Sequence, residues 1–92
     1  MRILIAFLEN LMPNNHFILY ATANCHLCEE AIDLIQLSGA YLHLLVIDII
    51  ENADLYARYE FTIPVLKSSL TGAELNWPFS LESLRVFATI NQ

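Results

Sequence analysis

Apolar and polar residues along this chain change period several times, and each change marks an element. His16-Phe17-Ile18-Leu19-Tyr20-Ala21 is a short apolar run between Asn14-Asn15 and Thr22-Ala23-Asn24, with the length and boundaries of a buried strand rather than a helix. From Cys25 to Ser38 the period lengthens. Leu27, Ala31, Leu34 and Ile35 recur at helical spacing, with Glu29, Glu30, Asp33 and Gln36 opposite, which predicts an amphipathic helix with Asn24 as N-cap and Gly39 at the C-cap. Its acids load the first turns, where the positive end of the helix dipole favours them.

Tyr41 to Ile50 is almost unbroken apolar sequence without alternation, the pattern of a strand buried on both faces of a parallel sheet. His43 within it reads as a satisfied or edge histidine rather than a ligand. Asn52 caps a short helix over 53–60 with Leu55 and Tyr59 on one face. Pro64 carries no N–H, so the strand containing Val65-Leu66-Lys67 must begin at it or after it. Ser68 to Gly72 has the length of a hairpin loop, Ala73 to Trp77 returns as a strand, and Pro78 breaks it. Ser80 caps a last helix, Leu81 to Ile90, whose core side is Leu81, Leu84, Phe87 and Ala88.

The chemistry gathers at the start of the first helix. Both cysteines of the chain, Cys25 and Cys28, stand there as C-x-x-C. Residues three apart share a helix face, which brings the two sulfurs within bonding reach. A thiol at a helix N-terminus meets free N–H groups and the positive dipole end, which favour its thiolate. A reversible dithiol is the reading preferred over inert buried thiols. Half of a zinc site is a weaker alternative, because no second close Cys or His pair exists and His16, His26 and His43 are scattered. A c-type haem attachment would need His where Glu29 stands.

Composition narrows the class further. A chain of 92 residues that is 57% hydrophobic has room for a single core. Two cysteines are too few for a disulfide scaffold, so a reducing, cytoplasmic setting is expected. A net charge of −6 with four basic residues (Arg2, Arg58, Lys67, Arg85) argues against nucleic acid and anionic membrane as partners. The apolar run Ile3 to Leu8 is shorter than a signal or spanning segment requires. Residues 1–15 are therefore read as an extension of unassigned role, with Met12 offering an internal start, and 16–92 as the domain.

Three separated motifs resemble the small glutaredoxin-like family of the thioredoxin superfamily. They are Leu19-Tyr20 through Cys25-His26-Leu27-Cys28-Glu29 to Ala31, Arg58-Tyr59 through Ile63-Pro64-Val65-Leu66, and Glu74-Leu75 through Trp77-Pro78-Phe79. The resemblance implies an α/β, thioredoxin-like order β-α-β-α-β-β-α, with a four-stranded mixed sheet flanked by helices. It implies that Cys25 is the nucleophile, Cys28 the resolving thiol, and Ile63-Pro64 a cis peptide beside the sulfurs where an extended thiol substrate could pair. His26 is expected to act on the substrate side of the pair: protonated it would favour the Cys25 thiolate, whereas Glu29 and Glu30 oppose it. Glu60 stands where the family often has Gly.

Two departures bear on substrate. Glutaredoxins that use glutathione typically carry a basic residue before the first cysteine and a Gly-Gly-x-Asp-like segment after the last strand. Here those places read Ala21-Thr22-Ala23-Asn24 and Asn76-Trp77-Pro78-Phe79-Ser80. The leading expectation is a monomeric thiol-disulfide oxidoreductase for protein disulfides, with glutathione at most a weak partner and no cofactor. The alternatives are a thioredoxin-fold interaction module that does not turn over, and a metal or iron-sulfur carrier using Cys25 with an external thiol.

Overall fold

The computed structural model describes residues 17–39 and 44–91. The extension over 1–15, His16 and His43 lie outside the described residues. The chain runs β1 (Phe17–Ala21), α1 (His26–Ser38), β2 (Leu44–Asp48), a 3-10 turn (Ile49–Glu51), α2 (Ala53–Tyr59), β3 (Val65–Ser68), β4 (Glu74–Asn76) and α3 (Leu81–Ile90). The strands form one mixed sheet in the order β2-β1-β3-β4. β1 pairs parallel with β2 and antiparallel with β3, and β4 pairs antiparallel with β3. This is the expected thioredoxin-like plan.

β1 is apolar without interruption because alternate residues serve two cores. Phe17, Leu19 and Ala21 face a cluster built with Cys28, Ala31 and Ile35 of α1 and Leu84 and Phe87 of α3. Tyr20 faces the other way, onto Ile49, Tyr59 of α2 and Val65. The period-2 alternation of a strand thus places α1 and α3 on one face of the sheet and α2 on the other. Leu19, Ile35 and Leu84 are almost wholly withdrawn from water, which stabilises the fold by roughly 1.5–3 kcal/mol per side chain.

β2 departs from expectation. It ends at Asp48, before the apolar run over 41–50 is complete, and among the described strands it lies at the edge of the sheet. Leu45 and Val46 are exposed, so this is not a strand covered on both faces. The central place belongs to β1, and the rest of the run turns into the 3-10 segment, where Ile49 is buried and Ile50 is not. Among the described residues no helix is long and apolar enough to cross a membrane.

Helix ends follow the sequence with one correction. The Asn52 side chain accepts from Asp54 N and Leu55 N, Ser80 and Ser83 form a reciprocal capping box, and Gly39 closes α1 at φ 88°. Asn24, however, is not a cap. It occupies the left-handed region at φ 58°, which Asn tolerates better than most residues, and Cys25 takes the cap position.

Candidate functional site

Asn24 reverses the chain between β1 and α1, so Cys25 arrives at the helix N-terminus in extended backbone at φ −106°. Its Sγ accepts from Cys28 N at 3.2 Å. Cys25 and Cys28 are joined as a disulfide across a Cα separation of 5.2 Å. The two sulfurs differ in access. Cys28 is 2% exposed and packs among Ala21, Ala31 and Ile35, whereas Cys25 is half-buried.

Burial on α1 follows Cys28, Ala31 and Ile35. Leu27 was expected on the core face and is instead 44% exposed. With Cys28 turned inward to meet its partner's sulfur, the residue before it is rotated about 100° away, toward solvent. His26 is exposed as well, and its Nε2 lies 3.0 Å from the Glu30 carboxylate, one turn along the helix. Pro64 is buried and follows a cis peptide bond from Ile63. Ile63 N donates to Tyr59 O at 3.1 Å, so that amide is already occupied.

Two recesses flank the disulfide. One, of about 370 Å³, is lined by Leu27, Phe61, Thr62, Ile63, Asn76 and Trp77. The other, of about 300 Å³, lies behind Cys28 and includes Thr22, Asn24, Glu29 and Asp48. Asp48 is already bonded there, accepting from Thr22 Oγ1 and from Ile50 N at 3.0 Å each. Among the described residues neither recess is lined by Lys or Arg. Among the described residues no three His, Cys, Asp or Glu side chains gather where they could hold a metal ion.

The Glutaredoxin-like domain (DUF836) family matches residues 16–87. The chain belongs to this glutaredoxin-like family. Two solved structures of a Northeast Structural Genomics target protein, XcR50 from X. campestris, are similar to it. The X-ray structure is 30% identical, with a TM-score of 0.75 over 83% of this chain and 99% of that one. The solution structure is also 30% identical, with a TM-score of 0.76 over 84% of this chain and 96% of that one. No curated protein matches.

The glutaredoxin-like motifs that sequence alone could only recognise have a geometry here. Tyr59 of the second motif donates its hydroxyl to Glu74 of the third at 2.5 Å, tying the end of α2 to β4. Burial, then the hydrogen bond to the Glu74 carboxylate and its charge, push the Tyr59 hydroxyl up to about 12. Tyr20 stacks on Tyr59 with ring centroids 4.4 Å apart and is raised too, by burial first and by the Glu74 charge second. Arg58 Cζ lies 5.7 Å from the Tyr59 ring centroid. Glu60, in the place of the family's glycine, sits at φ −57°, a right-handed conformation that needs no glycine. Leu27, Phe61 and Trp77 are the recess residues that pattern reading missed. A large aromatic directly before Thr62-Ile63-Pro64 was the available signal for Phe61.

Proposed function

We propose that this glutaredoxin-like domain is a cytoplasmic thiol-disulfide oxidoreductase in which Cys25 attacks and Cys28 resolves. The carrying observation is the asymmetry of one closed pair: a half-buried cap cysteine bonded to a buried cysteine one turn inward. When the pair is reduced, the Cys28 amide is placed to donate to Cys25 Sγ at the positive end of the α1 dipole, which favours its thiolate. That thiolate attacks one sulfur of a substrate disulfide. A mixed disulfide forms, and the substrate's other sulfur leaves as a thiolate that takes a proton from solvent. Cys28 then gives up its proton and attacks Cys25 Sγ, closing the protein disulfide and releasing the second substrate thiol. Two electrons pass from the dithiol to the substrate, and running the steps backward oxidises one.

The substrate class proposed is a protein disulfide. Glutathione is a net anion whose two carboxylates want charge-assisted partners, and among the described residues the recesses beside the disulfide offer no Lys or Arg. The overall charge of −6 adds a repulsive long-range field. With its N–H bonded to Tyr59 O, Ile63 could pair with an extended substrate only through its carbonyl, a weaker use of this edge than a two-bond ladder.

The test is to measure reduction of a glutathione mixed disulfide and of a protein disulfide side by side at low and high salt. Protein disulfide reduction should exceed glutathione-coupled turnover at both. Glutathione turnover matching that of an ordinary dithiol glutaredoxin would overturn the substrate assignment.

A further inference from the structure

We propose that the recess between Leu27, Phe61, Ile63 and Trp77 is a subsite for a bulky apolar side chain adjoining the reacting cysteine of a polypeptide disulfide, and that Tyr59 holds its two walls in place. The proposal rests on the thiol-disulfide reading above and adds what the enzyme selects. Phe61 is 91% exposed and Leu27 44% exposed. Scattered exposed apolar residues need no explanation, but these two share one recess with Ile63 and Trp77, and Leu27 stands between the two cysteines. Leu27 therefore puts one wall of the recess next to the C-x-x-C.

The recess takes one kind of side chain. At about 370 Å³ it has room for a large side chain and its backbone. Among the described residues its polar lining side chains are Thr62 and Asn76, neither charged. An aromatic or branched aliphatic group entering it covers apolar surface of Leu27, Phe61, Ile63 and Trp77. A carboxylate or ammonium would lose hydration there and meet no opposite charge among the described lining residues, only the Thr62 hydroxyl and the Asn76 amide.

The two walls come from different parts of the chain and meet at one residue. The backbone carbonyl of Tyr59 accepts from Thr62 N at 2.9 Å and Ile63 N at 3.1 Å, fixing the first wall. Its hydroxyl donates to Glu74 at 2.5 Å, two residues before Asn76, fixing the strand that carries the second. Trp77 is propped edge-on against the buried Phe79, with ring centroids 4.9 Å apart. Tyr59 is thus a positioning residue: it is 4% exposed and does not itself line the recess. The second and third family motifs become two halves of one clamp.

The test uses the full chain and short disulfide-closed peptides that differ only in the residue after the cysteine: Phe, Leu, Gly, Glu or Lys. The reduction potential of the wild-type pair is measured alongside. Wild type should favour the Phe over the equally uncharged Gly peptide in kcat/KM by on the order of tenfold, through KM. The ratio should fall toward one in Phe61→Ser, and also in Tyr59→Phe. Glu74→Gln, whose amide oxygen still accepts, should retain much of it. A ratio within one variant is unmoved by a general loss of activity. A wild-type ratio near one, a ratio that survives Phe61→Ser, or a preference for Lys would overturn the proposal. A reversible couple with no discrimination overturns it alone, whereas absence of a couple overturns the thiol-disulfide reading with it.

Discussion

Cys28 N donates to Cys25 Sγ at 3.2 Å, so the cysteine that closes the disulfide from inside also offers a hydrogen bond to the one at the rim. Two chemically identical side chains thus stand in different surroundings. The donor lies on the helix that buries Cys28, and the acceptor is the sulfur left partly in solvent. A hydrogen bond to the charged form, together with the dipole, lowers a thiol's pKa, whereas burial without such a partner raises it.

Alkylation of the reduced protein at neutral pH should therefore modify Cys25 first. Peptide mapping after a short exposure reads this directly. Preferential labelling of Cys28 would reverse the two roles.

The Tyr59 hydroxyl gives the fold an alkaline limit. Its folded-state value of about 12 lies above the ordinary 10, so the folded chain keeps a proton that the unfolded chain loses first. The resulting stability is fully present below pH 10 and disappears as pH rises from 10 toward 12. Two units correspond to roughly 2–3 kcal/mol. Denaturant unfolding of wild type across that range should show a steep loss, and Tyr59→Phe should start lower and show a shallower one. Equal slopes would mean that the Tyr59–Glu74 bond is not what this range titrates.

The sequence carried the order of elements because each had its own period and its own stop: the Asn52 and Ser80 caps, Gly39, and Pro64 ahead of β3. It carried the Cys25–Cys28 pair because residues three apart at a helix start share a face. What it could not carry was which neighbours a residue would meet. The run over 41–50 has the composition of a doubly covered strand, yet strand order places β2 at the edge, and order is decided by contacts far apart in sequence. Leu27 fitted the apolar stripe of α1, but Cys28 takes the buried place at the start of that stripe, while Ala31 and Ile35 keep theirs. Tyr59 and Glu74 lie 15 positions apart, and no pattern links them until the hairpin folds back.

Ser68 is a second place where one hydroxyl serves several distant groups. It is fully buried, donates to Asn91 O at 2.9 Å, and accepts from Leu70 N at 3.3 Å and Thr71 N at 3.2 Å. It joins the end of β3, the hairpin loop and the end of α3. Ser68→Ala should cost about 1–3 kcal/mol, because the buried groups lose a partner they cannot replace. A melting temperature lowered by roughly 4 °C or more would agree. An unchanged melting temperature would show that these groups find other partners.

The central claim is that Cys25 and Cys28 form a working redox couple, and its most direct test is a titration of the full chain against a thiol-disulfide buffer of stepped potential, following the oxidised fraction of the pair. The account predicts a reversible two-electron transition between about −320 and −120 mV, the span of working dithiols, lost when either cysteine is replaced by Ser. A pair that stays oxidised or reduced across that whole span, or that fails to return along the same curve, would contradict it.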